Sequence, residues 1–368
     1  MAGCNLARER DGAVGVDRQD KFGGTGAVRA GHGFDSAALD RWMQANVPGY
    51  AGPLAVEQFN GGQSNPTYRL VTPTRAYVLR RKPPGQLLPG AHAVEREYRV
   101  LAALGRAKFP VAPVHGLCED AAVIGTPFYV MDMVEGRIFW DSTLPSLTAS
   151  ERPAYFDAMN SAIAQLHGID YQAIGLGDYG KPGNYFARQI ARWSRQYQED
   201  EAAGRLADMD LLADWLPGQI PEGDETSIVH GDFRADNMIW HPAEPRILAV
   251  LDWELSTLGH PLADFTYHLM MYHLPPHIIG GFKGADLGTL NIPSQADYVA
   301  AYCARTGRDG IANLSFYLAF NMFRFAAIIH GIKGRLARGT ASSPEAQSLV
   351  ETLPELAAIA RATAQSNI

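Results

Sequence analysis

The stretch Ile228–Phe265 decides the fold. It reads I-V-H-G-D-F-R-A-D-N-M-I-W over 228–240, breaks at 241–246, resumes as I-L-A-V-L-D-W-E over 247–254, and closes with L-G-H-P-L-A-D-F over 258–265. The apolar pair Ile228 and Val229 delivers a His230-Gly231-Asp232 turn. Asn237 follows Asp232 by five positions, and Met238, Ile239 and Trp240 lead away from it as a short strand. A second strand-like run, 247–251, delivers Asp252. Two loops that each present a carboxylate, with an amide between them, supply what phosphoryl transfer requires. One carboxylate positions the attacking hydroxyl, while an Asn and a second carboxylate hold Mg²⁺ on nucleotide phosphates.

The rest of the chain bounds this reading. With 368 residues, 46% hydrophobic and 19% charged, it has material for two lobes, each burying its own core. A net charge of −7 provides no global basic field to recruit nucleic acid or an anionic membrane, so any anion site must be local. The three cysteines, Cys4, Cys118 and Cys303, are widely spaced and form no C-x-x-C, which points away from a disulfide framework or zinc cluster and toward a reducing cytoplasm. The N-terminus lacks the apolar run of a secretory signal, and no uninterrupted apolar run reaches membrane-spanning length, so a soluble protein is expected. Residues 1–33 are rich in Gly, Ala and charge without periodicity and read as a disordered tail.

An ordered first lobe is expected over 34–134. It opens with a short helix capped by Asp35 or Ser36. Between two strand-like runs lies F-N-G-G-Q-S-N-P, in which Gly61, Gly62 and Ser64 form a polar turn whose backbone N–H groups can approach a phosphate, although many such turns are plain hairpins. The next strand, A-Y-V-L-R-R-K, puts Val78, Arg80 and Lys82 on one face and Leu79 and Arg81 on the other. In H-A-V-E-R-E-Y-R-V-L-A-A-L, helical spacing sets Glu97 beside the apolar stripe, where it either meets Arg80 or remains a solvated helix charge. Two further strands follow, the second ending near Gly136, a candidate hinge.

The larger second lobe, 135–368, reads as mainly helical. Helices are expected from about Ser150 to His167, over 184–199, 298–306 and 314–335, and from Pro344 to Ala364. Arg188, Arg192 and Arg195 form a row that is either a solvated face or a contact for an anionic part of a ligand. Arg324 lies in a helix that is apolar almost all round and must be paired, with Asp264 or another carboxylate as the expected partner. His260, His268, His273 and His277 cluster in sequence, but His268 and His273 are five apart, not the i, i+4 of two ligands on one helical face, so structural or substrate-lining roles are expected.

H-G-D-F-R-A-D-N followed by V-L-D-W-E resembles the catalytic and metal-binding loops of the aminoglycoside phosphotransferase family. Through Y-V-L-R-R-K-P-P-G, L-D-W-E and G-H-P-L-A-D, the more particular similarity is to the kinase-like domain fused to acyl-CoA dehydrogenases, here standing alone. The resemblance implies an α+β, protein-kinase-like two-lobe fold, with a small antiparallel-sheet N-lobe carrying one helix and a mainly helical C-lobe. It also implies roles. Asp232 matches the base, Asn237 and Asp252 match the metal ligands, and His230 matches the histidine that steadies both loops. Gly61, Gly62 and Ser64 match the phosphate-covering loop, and Asp132 and Met133 fall in the connection whose backbone meets adenine. Departures are visible: Arg80 stands where protein kinases have lysine, leaving Lys82 as a substitute, the glycine loop is short, and His260 replaces a frequent aspartate.

The expected activity is ATP- and Mg²⁺-dependent phosphorylation of a hydroxyl on a small molecule. Met270, Met271, Tyr272 and Leu274, together with the arginine row, favour an amphiphilic acceptor such as a hydroxyacyl thioester of coenzyme A over a polycationic aminoglycoside. The alternative from another class is a nucleotide-binding, non-catalytic module. A protein kinase is disfavoured, because neither D-F-G nor A-P-E is present.

Overall fold

The computed structural model describes residues 24–60, 65–85, 92–340 and 344–366. The chain divides into two compact units. The first runs to Asp141 and includes Gln172–Leu176 and Ala235–Ser256; the second comprises Ser142–Tyr171, Gly177–Arg234 and the chain from Thr257 onward.

In the first unit, strands β1 (Thr25–Gly26), β2 (Ala55–Phe59), β3 (Thr67–Val71), β4 (Ala76–Arg81), β5 (Val114–Cys118) and β6 (Phe128–Asp132) form one antiparallel sheet in the order β1-β2-β3-β4-β6-β5. The alternation in A-Y-V-L-R-R explains its two faces. Tyr77 and Leu79 join Tyr68, Leu70, Phe128 and Val130 in a cluster completed by Leu39 and Met43 of α1 (Ser36–Asn46). Arg81, on the same face, lays its guanidinium over the Phe34 and Tyr68 rings. Arg80 faces oppositely, toward α2 (Val94–Arg106). Among the described residues, α1 and α2 are the α-helices of this unit, at the two places where helices were expected.

Asp35 caps α1 by accepting the N–H groups of Ala37 and Ala38. Part of the stretch expected as a tail to Gly33 is instead held by the sheet: Thr25 and Gly26 pair with Phe59 and Gln58, and the His32 carbonyl accepts the Tyr68 hydroxyl at 2.8 Å, while residues 1–23 lie outside the described residues. The hairpin β8 (Met238–Trp240) and β9 (Ile247–Val250), expected in the second lobe, groups with this unit. Arg137 and Trp240 exchange backbone hydrogen bonds, and a Cβ on Gly136 would meet the Trp240 carbonyl at 2.4 Å. Close backbone approach therefore accounts for that glycine, rather than a hinge.

The second unit contains α3 (Arg152–Gly168), α4 (Tyr185–Glu199), α5 (Ala207–Trp215), α6 (Pro261–Leu269), α7 (Leu287–Leu290), α8 (Gln295–Thr306), α9 (Leu314–Ala337), α10 (Pro344–Glu351) and α11 (Leu353–Ala364), with a small ribbon of β7 (Ser227–Val229) and β10 (Thr257–Gly259). The last segment, expected as one helix, breaks at Thr352, and Pro354 falls in the first turn of α11, where its missing N–H is tolerated. Helix α9 is long and apolar enough to cross a membrane, but 83% of its most apolar window is buried inside the protein, as expected of a core helix. Asn321 within it donates to the Ala263 carbonyl at 2.9 Å and to Thr266 Oγ1 at 2.8 Å, which fixes α9 to α6.

Two of the clustered histidines, His260 and His268, serve as structural groups. His260 caps α6, its Nδ1 accepting the Leu262 N–H at 3.2 Å, which is the job an aspartate would do there. His268 bridges the Phe233 carbonyl, 3.1 Å from Nδ1, and the Tyr298 hydroxyl, 2.7 Å from Nε2. A carbonyl only accepts, so Nδ1 carries the proton; burial favours the neutral ring, in which Nε2 accepts the Tyr298 hydroxyl. No group of three His, Cys, Asp or Glu among the described residues is arranged to hold a metal.

Burial pushes both His260 and His268 down from 6.5 to about 4. As pH falls, the unfolded rings take up protons near 6.5 and the folded ones only near 4. Each group therefore lowers stability by about 1.4 kcal/mol per pH unit across that window, with the contribution fully present above pH 6.5. Urea unfolding followed from pH 7 to 5 should show this decline, and His268→Gln, whose amide can keep both contacts, should flatten the slope. An unchanged slope in that variant would contradict the neutral-histidine assignment.

Candidate functional site

In the first unit, the site grows from the open end of the β8–β9 hairpin. Antiparallel pairing of Met238 with Val250 brings the residue before β8, Asn237, level with the chain leaving β9, and the Leu251 N–H donates to the Asn237 carbonyl at 2.8 Å. The next residue, Asp252, adopts the left-handed conformation at φ 64°, uncommon for a residue with a Cβ but better tolerated by Asp than most. Trp253 holds it there. The indole is buried, packs edge-on against Phe109 with centroids 5.8 Å apart, and donates Nε1–H to the Val250 carbonyl at 2.9 Å. In D-W-E, the tryptophan turns inward and leaves Asp252, 38% exposed, and Glu254, 27% exposed, on the outer side.

Arg80 closes the group. Its Nε lies 2.8 Å from Glu97 Oε2, and Nη2 lies 3.1 Å from Asp252 Oδ1 and 3.4 Å from Glu254 Oε2. Burial works against this charge, but the carboxylates, led by Glu97, outweigh it and hold the guanidinium protonated. For Glu97, burial pushes the carboxyl up, and Arg80 is the main influence drawing it down. Glu97 also accepts from Asn65 Nδ2 at 2.8 Å and from the Tyr129 hydroxyl at 3.1 Å. The planar fork of Arg80 suits this role, because one guanidinium serves three carboxylates where an ammonium is a single point charge. Lys82 turns away and pairs with Glu95 at 2.9 Å.

Gly61, Gly62 and Ser64 lie outside the described residues. The chain that leaves them is anchored, since Asn65 is fully buried, bound to Glu97 and 3.0 Å from His92 Nδ1. At the end of β6, the Asp132 N–H is taken by the Pro113 carbonyl at 2.8 Å, and its carboxylate by Arg75 and by His115, 2.6 Å away. Met133 follows outside the strand and makes no backbone hydrogen bond among the described residues.

In the second unit, the H-G-D turn leaves β7 and is gripped by Asp264. The two oxygens of this buried carboxylate accept the N–H of Gly231 (Oδ1) and of His230 (Oδ2), each at 2.7 Å. Burial would raise Asp264, yet its contacts with His167 and His230 hold it below the usual carboxylate range. His167 continues the chain, with Nε2 3.3 Å from Asp264 and Nδ1 2.8 Å from the Tyr302 hydroxyl. Gly231 takes φ 87°, a conformation that favours glycine and swings Asp232 outward. The Tyr267 hydroxyl donates to Asp232 Oδ1 at 2.6 Å. Arg324, expected to pair with a carboxylate, instead donates to the Gly231 carbonyl at 3.2 Å and lies over the Tyr267 ring.

The structure thus brings Arg80, Glu97 and Asp252 together, sets Asn237 at the same hairpin end, and places Asp232 in its own network. Sequence reasoning did not find the grip of Asp264 on the turn, the Tyr267 contact, or the support of Glu97 by Asn65 and Tyr129. The spacing of Asp264 and Tyr267, i and i+3 on one helix, was the available signal for the first two. The arginine row is engaged locally: Arg188 donates to the Lys181 carbonyl at 2.5 Å and Arg192 lies over Trp193. Met270, Met271 and Leu274, expected to line an acceptor pocket, are buried in the core of the unit.

The Phosphotransferase enzyme family (APH) pattern matches residues 55–317. Acyl-CoA dehydrogenase family member 10 of Mus musculus is 44% identical over 339 residues, which cover 90% of this chain and 32% of the relative, so the chain spans about a third of that protein's length. A candidate aminoglycoside phosphotransferase from Ralstonia eutropha is 52% identical, with a TM-score of 0.84 over 90% of this chain and 99% of that one. Aminoglycoside phosphotransferase APH(4)-Ia, in a ternary complex with ADP and hygromycin B, is similar in fold alone, at 13% identity and a TM-score of 0.59, covering 90% of this chain and 100% of that one. The chain belongs to the phosphotransferase enzyme family and has its protein-kinase-like, α+β two-lobe fold.

Proposed function

We propose that this protein is an ATP- and Mg²⁺-dependent small-molecule kinase that moves a γ-phosphoryl group to an acceptor hydroxyl. The observation that carries the reading is Arg80, held between Glu97 and Asp252, beside a hairpin end that presents Asn237. Asn237 and Asp252 fit Mg²⁺: both offer hard oxygen donors, and such a site takes one or two side chains and completes its octahedron with phosphates and water. Bound there, the ion would neutralise charge on the phosphates. Arg80 would contact phosphate oxygens through its fork. Gly61, Gly62 and Ser64 would cover the phosphates. Adenine would meet the backbone at Met133 rather than at Asp132, whose N–H is already taken. Asp232 would accept or orient the proton of the attacking hydroxyl.

For the acceptor, we favour a hydroxyacyl thioester of coenzyme A. With Met270, Met271 and Leu274 in the core, this choice rests on the dehydrogenase-linked relatives and on the exposed Arg195 end of the arginine row. The free, buried Cys118 and Cys303 suit a reducing cytoplasm. An aminoglycoside acceptor, or nucleotide binding without turnover, are the outcomes to separate from it.

An ATP-consumption screen over hydroxylated metabolites, hydroxyacyl-CoAs and aminoglycosides separates them. Asp232→Ala should lower turnover with the best acceptor by about 10²- to 10⁴-fold, the range for loss of a general base. Full turnover in that variant would sink the mechanism. Arg80→Ala should weaken Mg²⁺–AMP-PNP binding by about tenfold or more in calorimetry, equivalent to about 1.4 kcal/mol, while Lys82→Ala should leave it within about twofold, as its partner is Glu95. The reverse pattern would transfer the phosphate contact to Lys82.

A further inference from the structure

We infer that Tyr267 is a positioning residue for Asp232, seated by Arg324, and that it acts through the aspartate rather than on the substrate. The inference rests on the proposed role of Asp232 as the base. Helix α6 delivers two groups to the H-G-D turn from one face. Asp264 binds the turn's backbone, and Tyr267, three residues later, binds its side chain, with the hydroxyl 2.6 Å from Asp232 Oδ1. The Tyr267 side chain is buried, and Arg324 of α9 places its guanidinium carbon 5.6 Å from the ring centroid. The same arginine donates to the Gly231 carbonyl at 3.2 Å, one residue before the aspartate. Arg324, Tyr267, Asp232 and Gly231 thus form a closed ring of contacts.

This ring has a specific consequence. A carboxylate on a glycine turn can rotate about two side-chain torsions. A hydrogen bond to one oxygen fixes that rotation and therefore the direction of the other oxygen, and a base must be held in line with the hydroxyl it serves. The phenol suits the task because it keeps its proton: burial raises it far above its ordinary value, and the charge on Asp232 raises it further. It therefore acts as a donor and does not compete for the acceptor's proton. Arg324, through its hydrogen bond to the Gly231 carbonyl and its cation–π contact, keeps the ring from swinging away.

Three variants of the full chain test this: Tyr267→Phe, Asp232→Asn and the double variant, each assayed for basal ATP hydrolysis with water as acceptor and for Mg²⁺–AMP-PNP binding. Tyr267→Phe removes only the hydroxyl from a packed ring. It should lower kcat by about tenfold or more, the effect of misorienting a catalytic group, with the KM for ATP and AMP-PNP affinity unchanged within about twofold. In the Asp232→Asn background it should add nothing, because the two residues act as one unit. Wild-type kcat in Tyr267→Phe, or losses that multiply in the double variant, would overturn the inference. A dead Asp232→Asn beside a normal Tyr267→Phe overturns this inference alone, whereas a fully active Asp232→Asn overturns the base assignment and the inference with it. One readout needs no turnover. The buried Tyr267 hydroxyl proton, identified in the NMR spectrum by its loss in Tyr267→Phe, should move upfield in Asp232→Asn, and an unmoved resonance would refute the contact.

Discussion

Much of the second unit depends on one buried carboxylate. Asp264 accepts two consecutive backbone N–H groups from the His230–Gly231 turn, and without it both donors would be enclosed with no partner, at a cost of about 1–3 kcal/mol each. That a charge can remain there follows from its surroundings: two amide dipoles and His167, which is itself held by Tyr302 of α8. The turn is thus tied to helices. Asp232 leaves this rigid base, and Tyr267 and Arg324 complete its support.

The first unit solves a different problem, a buried cation. Arg80 leaves β4 on the face opposite the Tyr77–Leu79 cluster and would be costly if unpaired. Glu97 meets it from α2, and Asp252 and Glu254 meet it from the D-W-E turn. Asn65 and Tyr129 then supply the remaining donors to Glu97. The substitution of arginine for the kinase lysine is therefore matched by its neighbours. One side chain reaches the helix and the D-W-E turn together, and the ion pair with Asp252 sets where that carboxylate sits.

Legibility in the sequence followed locality. The H-G-D turn, the D-W-E turn and the strand alternation around Arg80 are each encoded within a few residues, so their identities and even the Arg80–Glu97 meeting could be anticipated. Long-range packing was not legible. Nothing in M-M-Y-H-L-P-P (270–276) says that Met270 and Leu274 go to the core, and hydropathy cannot distinguish a pocket wall from a core. The buried arginine is instructive in the same way. The requirement for a partner was sound, but a carbonyl and an aromatic face satisfied it instead of a carboxylate. His260 shows that a residue outside the family's usual choice can keep the local chemistry, since a neutral imidazole nitrogen accepts the same N–H that a capping aspartate would.

These features converge on chemistry more firmly than on substrate. The groups proposed to hold phosphate and metal and to act as base are set by short-range constraints, whereas an acceptor is chosen by surfaces that short motifs do not describe. The most direct test of phosphoryl transfer follows ATP by ³¹P NMR in the presence of Mg²⁺ and a hydroxyacyl-CoA. Transfer to the hydroxyl predicts that the γ-phosphate signal is replaced by a new phosphomonoester resonance, matched by formation of ADP. Release of inorganic phosphate alone, or an unchanged spectrum across the hydroxylated acceptors, would contradict it.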